Sequence, residues 1–349
     1  MSVLRSARIV TALLVASASL APQRADAQVA YDTPQEHVEV LGLRTWTLAM
    51  LRDSIRHRVP GQTLEDAACM VILRDSLHFA DAMVSHLIFK SGPNAPGTNY
   101  LVIKVIEPAD AWRVRWAPEP PDNYTVLRPA YAPVVLAVTD SLGGLWVGRL
   151  MWPLQFYPRD SVQRTGAFGG GGPAGRDDAL RLWQFLDSHR SDADWHTAMT
   201  ALRRDRFYAN RLVAAMVLAN FAARDSTLLA LTEALRDPME SVRDAASMVL
   251  AGLPSRTVNW APAAPTLRLL LGGTNLPAMD GVLGMLTRTH VSPALAAPLL
   301  RKNDEWVLRH LRASYPGASS SAHALLVELH GGKDLGASER AWTHWLASL

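Results

Sequence analysis

Apolar residues recur at spacings of three and four through the second half of the chain, and the middle of that half shows the pattern most clearly. Leu228, Leu231 and Leu235 stripe one segment, and Val242, Ala246, Val249 and Leu253 stripe the next. Such spacing places each set on one face of a helix, so two amphipathic helices face each other across a short turn at Asp237-Pro238. Asp237 stands where a cap of the second helix is expected, Pro238 suits its first position, and Glu240 suits the carboxylate of a capping box.

The first half has a different texture. Leu41, Leu48, Leu51 and Ile55 predict a helix over 40–57 that Pro60-Gly61 ends. A second segment runs from Thr63 to Phe89; its first half reads as helix, with Thr63 and Asp66 as a capping pair, and its second half fits either helix or strand. Leu101 to Ile106 is a β-branched run, and Trp112-Arg113-Val114-Arg115-Trp116 alternates as a strand would. Beyond the proline-rich stretch 118–133, the segments 134–138 and 145–152 predict a hairpin across the Asp140 to Gly144 turn. The expected fold is α-dominated: a small α+β domain over 28–157, a Gly/Pro-rich linker over 158–176, and helical repeats with a C-terminal cap over 177–349.

An internal self-similarity supports the repeats. Arg211 matches Arg243, and Met216 to Ala219 match Met248 to Ala251, 32 positions on; Val282-Leu283 matches Val249-Leu250 after 33. A period in the thirties means helix pairs that must stack to bury their apolar faces. The stretch Leu228 to Leu253, with Asp237-Pro238 and Val242-Arg243 followed by Ala245-Ala246, resembles a HEAT repeat of the armadillo-like α-solenoids. The resemblance implies an α-solenoid in which the turn residues Asp237 and Arg243, and Arg211 one copy earlier, support packing between repeats. The ending Gly331 to Gly336, followed by Trp342 and Trp345, resembles the ends of HEAT arrays in bacterial secreted proteins, and the two indoles suit a terminal cap.

Residues 1–27 change the reading of charge. Arg5 and Arg8, the apolar run Ile9 to Leu20 and Ala25-Asp26-Ala27 have the three parts of a secretory signal, so cleavage near Ala27 and a periplasmic or secreted destination are expected. Loss of Arg5, Arg8 and Arg24 against Asp26 takes the chain from 35 basic and 32 acidic residues to 32 and 31. A nearly neutral mature chain gives no argument for a nucleic-acid partner. No later segment has the length and apolarity of a transmembrane helix. Cys69, the single cysteine, lies in the apolar run 67–73 and reads as a buried structural thiol.

His78, Asp81 and His86 are the nearest approach to a metal cluster, although on a helix they would spread over more than a third of the circumference. Nothing in the pattern calls for a cofactor. The expected function is a non-enzymatic scaffold of the cell envelope or exterior that binds another protein through the solenoid surface. The alternative is a hydrolase whose site lies around Cys69, His78, Asp81 and His86, with the repeats as a docking platform.

Overall fold

The computed structural model describes residues 28–66, 69–90, 97–121, 131, 134–135, 184–336 and 338–348. A four-stranded sheet near the N-terminus is followed by a helical C-terminal region. The strands are β1 (Gln28–Asp32), β2 (His37–Leu41), β3 (Asp81–Lys90) and β4 (Gly97–Ile106), in the order β1-β2-β4-β3. β2 and β4 are parallel; the other two pairings are antiparallel.

The apolar run of β4, interrupted only by Lys104, has a simple cause: both faces of the sheet are covered. Leu101, Ile103 and Val105, with Val38 and Val40 of β2, pack against Leu51 and Ile55 of α1 (Leu48–Arg58) and against Ile72 and Leu73. On the opposite face Val102 and Leu41 pack with Ala313, Tyr315 and Ala318 of the helical region. Lys104 shares that second face, a charge in an otherwise apolar run.

Double-sided burial also explains a correction. The helix expected over 40–57 begins only at Leu48, where Thr47 accepts the Met50 N–H, and residues 37–41 are the strand β2. Leu41 sits seven positions before Leu48 and so matched a helical spacing, while its neighbour Val40 is equally buried on the other face of the sheet. The chain turns out of β2 at Gly42 with φ +102°.

The segment 63–89 divides much as its mixed pattern allowed. Residues Cys69–Val71 form a helical turn that continues as a π-helical turn over Ile72–Ser76, and the second half is β3. The alternation at 112–116 does not form a strand. Pro108–Arg113 is a 3-10 helix, and 114–121 runs on without regular structure along the helical region. The expected signal segment and linker lie outside the described residues, as does the expected hairpin apart from Val134 and Val135, which are helical.

The helical region comprises α2 (Asp192–Arg204), α3 (Tyr208–Leu218), α4 (Asp225–Ala234), α5 (Glu240–Ala251), α6 (Ala264–Leu271) and α7 (Met279–Arg288). It continues with α8 (Pro293–Arg301), α9 (Asp304–Arg312), α10 (Pro316–Leu329) and α11 (Glu339–Ser348). α2, α4, α6 and α8 pack in one row; α3, α5 and α7 pack in a second. α10, not α9, continues the second row after α7, and α9 packs against α8, α10 and α11. One buried cluster runs through these helices from Leu186 to Leu346.

Candidate functional site

The turns between paired helices carry a recurring polar device. Asp205 and Asp237, 32 positions apart, each accept the N–H of the residue two further on, Phe207 at 2.9 Å and Met239 at 2.8 Å. Arg211 and Arg243 each reach back to two turn carbonyls: Arg211 to Asp205 and Arg206 at 2.8 and 3.1 Å, Arg243 to Asp237 and Pro238 at 2.8 and 3.0 Å. Arg211 also clasps Asp237 of the following pair through two bonds of 2.7 and 2.8 Å. A bidentate guanidinium-carboxylate pair fixes both angle and spacing of the two turns. With the Arg211 side chain fully buried, its charge is matched by this carboxylate and the turn carbonyls.

Asp237 therefore acts two positions earlier than a helix cap. The N-cap of α5 is Met239, and Glu240 turns away from any capping box to pair with Arg74 at 2.8 Å. Pro238 supplies the second carbonyl held by Arg243. The series stops at the next turn, where Gly272-Gly273-Thr274-Asn275 offers no carboxylate. Arg243 instead lies 4.0 Å over the ring of Trp116. The opposite ends of the pairs carry a second series, Arg224 to Asp192 at 2.5 Å and Arg256 to Asp225 at 2.7 Å.

The turn row also presents apolar groups at matching positions. Phe207 is 50% exposed and Met239, 32 residues on, is 36% exposed. Each stands just before its helix, where the turn aspartate fixes the backbone.

Where the sheet meets the helices, charged groups are buried in pairs. Lys104 donates to Asp280 at 2.8 Å, and the Tyr315 hydroxyl donates to the other oxygen at 2.6 Å. Burial would raise the Asp280 carboxyl, but Lys104 and His310 outweigh it and hold the group well below the usual carboxylate range. The Tyr315 phenol is pushed well up by burial and by Asp280. His310 donates its Nδ1–H to Trp306 O at 2.7 Å, and its Nε2 lies 3.1 Å from Asp280. Glu39, fully buried on β2, accepts the N–H groups of Ser314 and Tyr315 and the Ser314 hydroxyl. Glu107 does the same for the N–H groups of Arg44, Thr45 and Trp46.

His78, Asp81 and His86 do not converge. Asp81 and His86 lie five residues apart on β3 and so on opposite faces, separated by about 16 Å at ~3.3 Å per residue. His78 is exposed with φ 58°, His86 is exposed beside Glu36, and Asp81 is buried against Arg74 at 3.3 Å. Burial pushes the Asp81 carboxyl up to about 6 despite Arg74 and Arg243. Cys69 is buried, and burial, with Glu65 and Asp66 nearby, pushes its thiol up to about 12. No group of three or more potential metal ligands occurs among the described residues.

Trp342 is fully buried and donates to Gly336 O at 2.8 Å; half-buried Trp345 meets it edge-on at 5.6 Å, and His330 lies against both. The residues that sequence reasoning missed are Asp205, the partner of Asp237 in the series, and the seam groups Lys104, Asp280 and Glu39. Lys104 left a legible signal as the lone charge in the 101–106 run, and Asp205 left one in its 32-residue offset from Asp237; Asp280 and Glu39 left none, because their partners are distant in sequence.

Comparison with known proteins finds no matching family model and no matching curated sequence. Among the described residues no single helix is long and apolar enough to cross a membrane.

Proposed function

We propose that this chain is an exported, non-enzymatic scaffold whose helical region is a HEAT-like α-solenoid that binds another protein through its surface. The observation that carries this reading is the row of repeated turns. Arg211, Asp237 and Arg243 hold successive turns in fixed register, as the HEAT resemblance implies, and the turns present Phe207 and Met239 to solvent at equivalent positions. An exposed apolar group on a rigid, buried ion-pair frame suits a contact surface. Export rests on the signal-like segment 1–27, and Trp342 supports a closing cap on the final helices.

The hydrolase alternative has no comparable support. Its histidines stand apart, and the Cys69 thiol is buried and shifted away from the thiolate a nucleophile needs.

The test is site-specific photocrosslinking of the full chain in its own cell envelope. A photoreactive residue in place of Phe207 or Met239 is expected to trap the same discrete protein adduct, and one in place of exposed Met50 on α1 is expected to trap none. Adducts absent from both turn positions, or identical from all three, would overturn the reading.

A further inference from the structure

Residues 113–119 cross the row of turns one after another. At the first, the Thr274 hydroxyl donates to Arg113 O at 2.6 Å and sits 3.3 Å from the Arg115 N–H, while Arg113 pairs with Glu305 at 3.0 Å. At the second, Arg236 Nε donates to Arg115 O at 2.8 Å, the Ala117 N–H donates to Arg236 O at 2.6 Å, and Trp116 lies on Arg243 at 4.0 Å. At the third, Glu119 approaches Arg211 at 3.9 Å. The segment thus meets the turns α6–α7, α4–α5 and α2–α3 in that order, opposite to their order in the chain.

Its sequence keeps it extended. Pro118, Pro120 and Pro121 bias Ala117, Glu119 and Pro120 away from helical backbone and remove N–H groups that a strand would need. A proline-rich extended strip with one aromatic anchor is a common form of peptide ligand, pre-ordered and recognised through backbone bonds and a pocket. The turn row supplies the matching parts: a carbonyl and a guanidinium at Arg236, a hydroxyl at Thr274, and an arginine plane at Arg243 that has no carboxylate of a following turn to engage.

We propose that the turn row is a binding site for an extended, proline-flanked peptide segment carrying Trp-x-x-Glu, and that residues 113–121 occupy it in cis as a removable strap. A partner protein's segment of the same chemistry competes with the strap, so the row is self-occupied until such a partner displaces it. This deepens the scaffold reading by naming the surface and the kind of partner, and it rests on that reading only for the existence of the partner.

The site itself is tested without any partner. A fluorescent peptide of residues 112–121 is titrated by anisotropy into the full-length protein. The wild type is expected to bind it poorly, because a tethered strap competes at an effective concentration near millimolar. Trp116→Ala in the protein loosens the strap and is expected to tighten peptide binding about tenfold, the scale of one cation-π contact. Adding Arg243→Met is expected to abolish that gain. Equal binding to wild type and Trp116→Ala, or a gain that survives Arg243→Met, would overturn the site. Should Trp116→Ala fail to fold, hydrogen exchange on the wild type decides: the Ala117 amide is expected to exchange faster than amides within α4 and α5, and exchange only with those helices would overturn the removable strap. Peptide binding with no crosslinked adduct from Phe207 or Met239 would fault the scaffold reading alone.

Discussion

Asp280 and Asp81 are both carboxylates at the seam between sheet and helices, yet their surroundings push them in opposite directions. Asp280 meets Lys104, Tyr315 and His310, and its carboxyl is lowered. A lowered group adds stability above its unfolded pKa and loses it as pH falls through the folded value. Asp280→Asn leaves Lys104 buried without a counter-charge, and is expected to cost about 3 kcal/mol at pH 7 by denaturant titration. Asp81 is raised to about 6, with Arg74 paired to it and Arg243 and Glu240 nearby. Its folded form holds a proton more readily than the unfolded chain, so its charge costs stability as pH rises from about 4 through 6. Asp81→Asn is therefore expected to gain relative to wild type over that window, by at most about 3 kcal/mol. Parallel unfolding curves at pH 4 and pH 7 check the sign; a difference that does not move, or moves the other way, removes the argument. Gly42 makes a purely steric case. A Cβ there would lie 2.0 Å from the Val105 carbonyl oxygen, and the backbone is left-handed. Gly42→Ala is expected to destabilise by on the order of 3 kcal/mol, read as a lower thermal midpoint.

At the scale of elements, the helix pairs were legible and the ion pairs that align them only partly so. Stripes such as Leu228, Leu231 and Leu235 fix a helix because each residue needs only its own neighbours to form the face, and all three are buried. The same logic misread residues 40–47, since a strand buried on both faces loses the alternation that marks it. It also misread 112–116, where the alternation runs from the end of a 3-10 helix into a strap that bonds to turns and not to a sheet. Among the candidate site residues, Arg211 and Arg243 were visible from their 32-residue spacing and Asp237 from its Asp-Pro turn, but neither signal said that Arg211 reaches forward to Asp237. That bond spans two turns and is a property of stacking. A double-mutant cycle measures it: Arg211→Met and Asp237→Asn are each expected to cost about 3 kcal/mol, and the double variant much less than their sum. Additive losses would mean that the two side chains act independently and that the turn register is held by packing alone.

For the whole molecule, the division at residue 157 expected from sequence meets a sheet that is not closed on its own. One face, with Val38, Val40, Leu101 and Ile103, is covered by α1 and the turns that follow it. The other face carries Leu41 and Val102, with Leu87, Phe89 and Tyr100 beside them, and its cover is Ala313, Tyr315 and Ala318 at the start of α10. Polar groups follow the same seam: Glu39 holds Ser314 and Tyr315, Lys104 holds Asp280, and Arg113 holds Glu305. Cutting the chain would expose the apolar face and strand Lys104 and Glu39 beside it, each without its partner. A bare apolar sheet face with long edges favours aggregation over a stable monomer. The fragment 28–157 is accordingly expected to show no cooperative thermal transition and to bind a hydrophobic dye, while adding the helical fragment 177–349 in trans restores a cooperative transition. A sharp transition from 28–157 alone would show that the sheet is an independent domain tethered to the helices. The strap gives the trans experiment a second reading, because it lies on the 28–157 side of the cut and reaches turns on the other. If the two fragments reassociate, Trp116→Ala should weaken that association far less than Lys104→Met, since a removable strap contributes little to a seam closed by buried charge.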